Sequence, residues 1–376
     1  FGQLVILTLI QIGGLGFITI GSYIAVLLKK KIGLKEREAI HESVSTIELA
    51  GVVKLVRKIV MGTFAFELTG ALLLSIRFVP QYGFWRGCYM GIFHAISAFC
   101  NAGFDLMGRN EAYSSLVAYE GDILVNLTIM ALIIIGGAGF LVWDDIHRNR
   151  LNFKKYLLHT KIVLITTGIL IFGGALLFYL REKDNVLAGM NVRERILGSL
   201  FSSVTPRTAG FNSVDTAALK DSSKFLTMVL MFIGGSPGST AGGVKVTTAV
   251  VMVLSTIAMV RGTHGVNILD RRLEESAVKR ASAIVTIDLG LAVAAALIIM
   301  SAQPLKLSDA LFEVFSAIGT VGMTTGITRE LVPLSRIVII LLMYCGRLGS
   351  LTFTLVFARS KPEPPVKQPV EKIVVG

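Results

Sequence analysis

The sequence has little charge, few cysteines and few histidines. Charged residues are only 16% of its 376 residues, whereas 53% are hydrophobic, which excludes an ordinary soluble domain. The three cysteines, Cys88, Cys100 and Cys345, are odd in number and lack paired spacing, which argues against a disulfide framework or a metal site. The five histidines are scattered, without a neighbouring nucleophile. We therefore expect neither enzymatic activity nor an organic cofactor.

Long apolar runs are what the sequence does contain. Uninterrupted runs such as 123–142, 162–180 and 284–300 are long enough to cross about 30 Å of hydrocarbon as helices. The net charge of +12 lies between the runs. Lys and Arg outnumber Asp and Glu by about two to one in four of the segments between runs, which the positive-inside rule places in the cytoplasm. The charge thus reflects membrane topology rather than binding of nucleic acid. These four segments are 29–58, 144–161, 261–280 and 359–376.

Two sequence signatures alternate along the chain. The first is a short amphipathic stretch that leads into a serine and then a glycine with apolar neighbours, at 97–104, 203–211 and 316–323. The second is a glycine cluster inside an apolar run, at 12–17, 135–140, 233–238 and 345–349. Such self-similarity is typical of internal repeats. The sequence predicts four repeats around one central pore, and the first repeat lacks its leading helix and filter in this chain.

Each repeat is predicted to contain a membrane helix, a half-length pore helix, a filter strand and a second membrane helix. The predicted elements are 54–78, 86–100, 101–105 and 122–143 in the second repeat, 161–180, 192–205, 206–211 and 223–260 in the third, and 281–301, 307–319, 320–323 and 333–358 in the fourth. The predicted organisation is the second helix of the incomplete first repeat (1–28), a cytoplasmic loop (29–53), the second repeat (54–143), a loop (144–160), the third repeat with a broken second helix (161–260), a loop (261–280), the fourth repeat (281–358) and a cytoplasmic tail (359–376).

The half-length helices predict an ion pathway. A segment too short to span, flanked by full spans, has to enter the membrane and return, which is tolerated only where protein buries it or water lines it. Carbonyls of the following strand can replace an ion's hydration shell, and the pore helices point their negative ends towards a cation. Only one acid, Asp105, lies within two residues of the three glycines. A calcium-type filter of side chains is therefore disfavoured, and selection of an alkali cation by carbonyls is favoured.

The sequence resembles the Ktr/Trk/HKT superfamily of potassium transporters, in particular its KtrB-type membrane subunits. The resemblance covers the whole chain. It is carried by the strings at 11–17, 31–37, 98–104, 206–211, 235–245 and 346–347. It implies one filter glycine per repeat, with the fourth upstream of Phe1. It also implies a multi-pass protein of the bacterial cytoplasmic membrane that takes up K⁺. The implied filter comprises Asn101, Ala102, Gly103, Thr208, Ala209, Gly210, Thr320, Val321 and Gly322, with K⁺ held by the backbone of Asn101, Ala102, Thr208, Ala209, Thr320 and Val321.

A glycine-rich stretch interrupts the second helix of the third repeat. It is not a nucleotide-binding P-loop, because Val244 separates its last glycine from Lys245 and no strand precedes it. A broken membrane helix has to line a cavity or the protein interior. The resemblance implies that it is a gate below the filter, with Arg347 as a cation beside the pore. A packing role for Arg347 remains the alternative. The implied gate comprises Gly235, Ser236, Pro237, Gly238, Ser239, Thr240, Ala241, Gly242, Gly243 and Arg347.

The resemblance also implies partners. These are a second copy of the chain and a KtrA-like cytosolic ring of nucleotide-binding RCK subunits. The basic residues of 261–280 fit such a ring, although they could instead anchor the chain to anionic lipid.

Two other functions compete with a channel-like pore. A coupled secondary transporter also builds ion sites from broken helices, but its inverted repeats should change orientation, whereas all repeats here begin on the cytoplasmic side. An intramembrane enzyme would need paired acids, and Glu67 and Asp288 are each solitary in their helices. We interpret these two acids, together with Asn126, as structural residues between helices.

Overall fold

A computed structural model describes most of the chain. The described residues are 1–16, 52–109, 112–150, 152–263, 265–269 and 271–349, with isolated positions at 19, 21, 369 and 371. The predicted loop at 29–53 lies outside the described residues except for its end, and the predicted tail at 359–376 lies outside them except for two positions. The same holds for the predicted continuation of the first helix beyond Gly16, apart from positions 19 and 21, and of the last helix beyond Gly349.

Three long helices begin the three repeats that the sequence predicts to be complete. These helices are α2 (Val52–Tyr82), α6 (Leu158–Glu182) and α10 (Glu275–Ala302). In the part of the chain that the structure describes, they are the three single helices long and apolar enough to cross a membrane. Their large apolar side chains are exposed along one side, as Leu68, Leu72 and Ile76 are on α2. Such apolar surface suits lipid rather than water, and the all-α membrane fold predicted from the sequence is confirmed.

A short helix follows each long one. These are α3 (Phe84–Phe99), α7 (Val192–Val204) and α11 (Leu307–Ile318), all within a few residues of the predicted pore helices. None is long enough to span the membrane. Gly87 and Gly91 let α3 lie directly against the backbone of α2. The carboxyl end of each short helix is buried in the protein, which leaves its negative dipole end inside the molecule.

The second helix of each repeat stops at its glycine cluster. These helices are α1 (Gly2–Leu15), α4 (Ile123–Ala138), α8 (Asp221–Phe232) and α12 (Pro333–Leu348). The next residue is a glycine of positive φ in three of them, namely Gly16 at 84°, Gly139 at 95° and Gly349 at 89°. The fourth, α8, runs into the loop 233–245, and α9 (Val246–Val260) follows.

The prediction of one helix over 122–143 is wrong. At Gly139 the chain bends by 95° into a separate helix, α5 (Phe140–Asn149). The cause is tertiary: the N–H of Phe140 donates to the carbonyl of Gly238 at 2.8 Å, in the loop of the third repeat. An added Cβ at Gly139 would lie 2.8 Å from the carbonyl oxygen of Pro237. Helix α4 therefore ends at the point where the loop of the third repeat packs against it.

The predicted loop 261–280 contains a small hairpin. Strand β1 (Asn267–Ile268) pairs antiparallel with β2 (Arg271–Arg272), so that Asn267 is opposite Arg272. Helix α10 begins shortly afterwards, at Glu275. The hairpin is one feature of the basic loop that the apolar and charge patterns did not predict.

Candidate functional site

The three predicted filter segments share one backbone conformation. Each filter glycine has a positive φ, namely 71° at Gly103, 86° at Gly210 and 86° at Gly322. The residue two positions earlier also has a positive φ, and the values for Asn101, Thr208 and Thr320 are 52°, 74° and 53°. Positive φ is rare outside glycine, and for a β-branched threonine it is an outlier that surrounding structure has to impose. The same two positive φ values therefore recur in all three predicted filter segments.

The filter segments lie side by side in chain order. An added Cβ at Gly103 would overlap the carbonyl oxygen of Ala209, and one at Gly210 would overlap that of Val321. The side-chain amide of Asn101 donates to the hydroxyl of Thr208 at 3.0 Å, which links the second and third segments. A Cβ built on Gly322 meets nothing within 4 Å. The three segments therefore lie next to one another in chain order, at a distance that requires glycine at positions 103 and 210.

Backbone hydrogen bonds hold each filter segment on its pore helix. The N–H of Ala102 donates to the carbonyl of Ser97 at 2.8 Å, and that of Val321 donates to Ser316 at 2.8 Å. The segment of the third repeat has one more residue between its serine and its glycine, Ser203 and Gly210. There, the N–H of Ala209 donates to Thr205 instead, at 3.0 Å. The filter segment of the third repeat is therefore also hydrogen-bonded to the end of its short helix, although it is one residue longer.

The loop 233–245 lies against two of these segments. An added Cβ on Gly242 would overlap the side chain of Thr320, and one on Gly234 would lie 3.3 Å from the methyl group of Thr208. The loop therefore packs against the two predicted filter threonines whose φ is positive.

The loop is held by its own ends and by the second repeat. The N–H of Gly234 donates to Val244 at 2.8 Å, and the N–H of Val246 donates to Gly235 at 2.9 Å. From outside, Ser236 N–H donates to the carbonyl of Gly137 at 2.9 Å, and the Thr240 hydroxyl donates to that of Phe99 at 3.0 Å. The glycine-rich stretch predicted to be a gate thus has a defined set of bonds.

Two cations lie at the loop without a paired acid. One amino group of the Arg347 guanidinium donates to the carbonyl of Thr240 at 2.7 Å, and the other donates to the carbonyl of Gly13 in the last turn of α1. The ammonium of Lys245 donates to the carbonyl of Ala241 at 2.8 Å. Within the described ranges, neither cation forms an ion pair with a carboxylate. Among the described residues, the hydrogen bonds of both cations go to backbone carbonyls.

The structural residues predicted within the spans have varied partners. Glu67 accepts a hydrogen bond from the amide of Gln11 at 3.1 Å, between α2 and α1. Asn126 donates instead to carbonyls just before and at the start of its own helix, those of Tyr119 at 2.7 Å and Asp122 at 2.8 Å. Asp288 is buried on α10. Asn126 therefore stabilises the entry to α4 rather than a neighbouring helix.

Comparison with protein-family models gives a match over residues 1–368 to TrkH, described as a cation transport protein. The chain belongs to the TrkH family. It is similar to the potassium/sodium uptake protein NtpJ of Enterococcus hirae, with 40% identity over all of this chain and 83% of that protein. It is also similar to the Ktr system potassium uptake protein B of Bacillus subtilis, with 40% identity over all of this chain and 83% of that protein.

A solved structure shares the fold. The potassium transporter TrkH from Vibrio parahaemolyticus has a TM-score of 0.69 and 16% identity, and the match covers 93% of this chain and 70% of that one. The resemblance to the superfamily seen in the sequence is therefore confirmed, and this TrkH-family chain is an integral membrane protein.

Sequence reasoning missed two residues of this TrkH-family site. His94 was treated as one of the scattered histidines, and Glu313 was not singled out, yet both side chains are buried behind filter segments. Each lies nine positions before a filter glycine, Gly103 and Gly322 respectively. This equal spacing is the feature of the sequence that could have identified both residues. Lys245 was considered when a P-loop was excluded and was given no role.

Proposed function

We propose that this chain takes up K⁺ across the bacterial cytoplasmic membrane through a channel-like pore with a backbone-carbonyl filter. The observation that supports it is the lateral contact of three filter segments with the same backbone conformation. Carbonyls arranged in this way replace the hydration shell of an alkali cation. The names of the curated relatives, which are potassium uptake proteins, support the choice of K⁺.

The surroundings of the filter favour a cation. The short helices α3, α7 and α11 end at the filter segments, so their negative dipole ends face the ion. The filter residues Ala102, Ala209 and Val321 have no side chain able to bind a cation. We infer that selection uses the backbone, with K⁺ at the carbonyls of Asn101, Ala102, Thr208, Ala209, Thr320 and Val321.

The loop 235–243 and Arg347 form the proposed gate. The loop packs against the filter threonines, and Arg347 binds its Thr240 carbonyl. A fixed positive charge below a cation filter is an electrostatic barrier. Movement of the loop would shift both the obstruction and the charge, which makes the two a single two-state element.

Regulation through partners belongs to the same proposal. We infer a homodimer that docks on a cytosolic RCK-type, nucleotide-binding ring. The words "Ktr system" in a relative's name point to more than one component. The basic hairpin with Arg271 and Arg272 offers exposed positive charge on the cytoplasmic side.

Ion flux into liposomes tests this function. The chain, with its natural amino-terminal extension if it has one, is reconstituted, and uptake of K⁺ and Na⁺ is measured in competition. Gly210→Ser should lower the K⁺/Na⁺ flux ratio about tenfold, since a Cβ there strains the backbone and meets Val321. The control is Gly173→Ser on α6, where a Cβ meets nothing. An unchanged ratio in the Gly210 variant would reject the carbonyl filter and favour a coupled secondary transporter.

A further inference from the structure

Two pore helices have a buried, titratable side chain at the same position. His94 on α3 and Glu313 on α11 each lie nine residues before the filter glycine of their repeat, Gly103 and Gly322. The exposed fraction is 0% for His94 and 5% for Glu313. Polar groups buried to this degree need partners. Both side chains have a hydrogen-bond partner in the segment that follows the filter glycine.

The side chain of His94 accepts a hydrogen bond from a backbone N–H just after the filter segment of the second repeat. Its Nδ1 lies 2.7 Å from the carbonyl oxygen of Met90, which can only accept, so Nδ1 is the protonated nitrogen. The other nitrogen, Nε2, is then free to accept, and the N–H of Leu106 donates to it at 3.3 Å. Leu106 is the third residue after Gly103.

Glu313 also binds the segment after the filter, in the fourth repeat. Its carboxylate accepts from the hydroxyl of Thr328, at 2.9 Å for each oxygen, and from that of Thr324, the second residue after Gly322. In both repeats, therefore, the buried side chain of the short helix accepts a hydrogen bond from the residues just after the filter glycine.

The turn after the filter is also the same in these two repeats. The side chain of Asp105 accepts from the N–H of Met107 at 2.9 Å, and the side chain of Thr324 accepts from the N–H of Gly326 at 2.9 Å. Asp105 and Thr324 are each the second residue after the filter glycine. The outer ends of both strands therefore have the same local structure, built from different side chains.

The third repeat holds its filter exit in another way. Leu200 stands at the position that corresponds to His94 and Glu313, three residues before the serine of the repeat, and its side chain cannot accept a hydrogen bond. Instead, Asn212 is fixed by the second repeat: its N–H donates to the hydroxyl of Ser115 at 3.1 Å, and its carbonyl accepts from the N–H of Leu116 at 2.8 Å.

We propose that His94 and Glu313 are positioning residues that fix the outer ends of the second and fourth filter strands and thereby set the discrimination between K⁺ and Na⁺. This inference rests on the proposed carbonyl filter. Discrimination depends on where the carbonyls stand and how firmly they are held. Loss of the acceptor leaves the N–H of Leu106, or the hydroxyls of Thr324 and Thr328, without this partner, and the strand relaxes by moving towards another one.

The third repeat suggests the substitutions for the test. His94→Leu and Glu313→Leu introduce the residue that the third repeat has there, and His94→Gln and Glu313→Gln keep an acceptor oxygen. Leu200→Met changes the matched position from one apolar residue to another. The K⁺/Na⁺ flux ratio and the maximal K⁺ flux are measured in liposomes for all five variants and the parent. Folding is checked by detergent size-exclusion chromatography.

We expect each leucine variant to lower the flux ratio about tenfold, as expected for one lost buried acceptor, and the glutamine variants and Leu200→Met to keep it within about twofold. A purely structural role would lower maximal flux or yield and leave the ratio unchanged. Leucine variants with the parent's ratio overturn the proposal. The filter assignment itself still stands if Gly210→Ser lowers the ratio in the same assay, so the two failures are distinguishable.

A milder variant covers the case in which a leucine variant does not fold. Thr328→Val removes the hydroxyl that donates to both oxygens of Glu313, at an exposed position. It should lower the flux ratio about threefold, because Glu313 keeps its bond from the hydroxyl of Thr324. A ratio equal to that of the parent would then overturn the role of Glu313, and His94→Gln compared with His94→Met tests the second repeat in the same way.

Discussion

Arg347, at the end of the last described helix, donates a hydrogen bond of 2.7 Å to the carbonyl of Thr240 in the loop of the third repeat. The same guanidinium also binds the carbonyl of Gly13 in the first. One side chain thus links three repeats at the level of the proposed gate. Since an arginine is always charged and has five donors in a rigid fork, it can bridge carbonyls that a lysine would not hold together.

Replacement of Arg347 should alter ion flux. In Arg347→Gln the positive charge below the filter is lost and the bond to Thr240 weakens, so K⁺ flux without a cytosolic partner should rise severalfold. The control is Arg336→Gln on the same helix, whose guanidinium binds the carbonyls of Leu331 and Arg329 near the other end. Flux in proteoliposomes is the measurement. Equal flux in both variants and in the parent would assign Arg347 to packing.

Deletion of 236–242 should remove the obstruction. K⁺ flux in the absence of a partner should rise, since Gly242 then no longer packs against Thr320 of the filter. The deletion also removes the bonds of Thr240 to Phe99 and Arg347, so we expect the thermal midpoint to fall by several degrees. Flux is compared in liposomes at matched protein content. If a folded deletion variant transported no K⁺, the stretch would be a substrate site of a coupled transporter.

Gly139→Ala should disturb the gate from a distance. Alanine at a φ of 95° is strained by about 1–3 kcal/mol, and its Cβ would press on Pro237 and Ser236 of the loop. We expect a lower thermal midpoint together with altered flux. Gly168→Ala on α6 is the matched control, since a Cβ there meets nothing and alanine favours a helix. A Gly139 variant as stable and as active as this control would contradict the coupling.

A partly buried ion pair joins the third and fourth repeats. Lys224 on α8 lies 3.0 Å from Asp309 on α11, and their side chains are only 11% and 17% exposed. Lys224→Met leaves the carboxylate unpaired and should lower stability by about 2 kcal/mol, whereas the double variant with Asp309→Leu should regain most of it. Lys183→Met, at an exposed pair, is the control. Thermal unfolding in detergent measures the parent, these three variants and Asp309→Leu alone; additive losses in the double variant would show that the pair is not coupled.

Helix length and polarity were predictable where they depend on local sequence. The pore helix expected at 86–100 is observed at Phe84–Phe99, and the long helix expected at 161–180 is observed at Leu158–Glu182. In both helices, the apolar run and its polar ends determine the boundaries, and a hydropathy profile shows the run as well as its ends. The all-α class followed from the same signal.

What the sequence did not reveal depends on distant contacts. The apolar run around Gly139 is unbroken, so hydropathy predicts a straight helix, and the bend needs the loop nearly 100 positions later. The positive φ of Thr208 and Thr320 opposes the intrinsic preference of threonine. Neighbouring repeats impose it. The equal spacing of His94 and Glu313 from their glycines was visible in the sequence, but its meaning required the segments beyond the filter.

The right-angle bend between α4 and α5 has a mechanical consequence. A straight inner helix acts as a rigid lever, so a pull at its cytoplasmic end swings the far end and can widen a pore along its whole length. Because the chain turns at Gly139, a displacement of α5 is not passed along the axis of α4. It reaches instead the loop of the third repeat, whose Gly238 carbonyl accepts from the N–H of Phe140. For the proposed gate, this arrangement lets the second repeat displace the loop while its own filter segment stays in place.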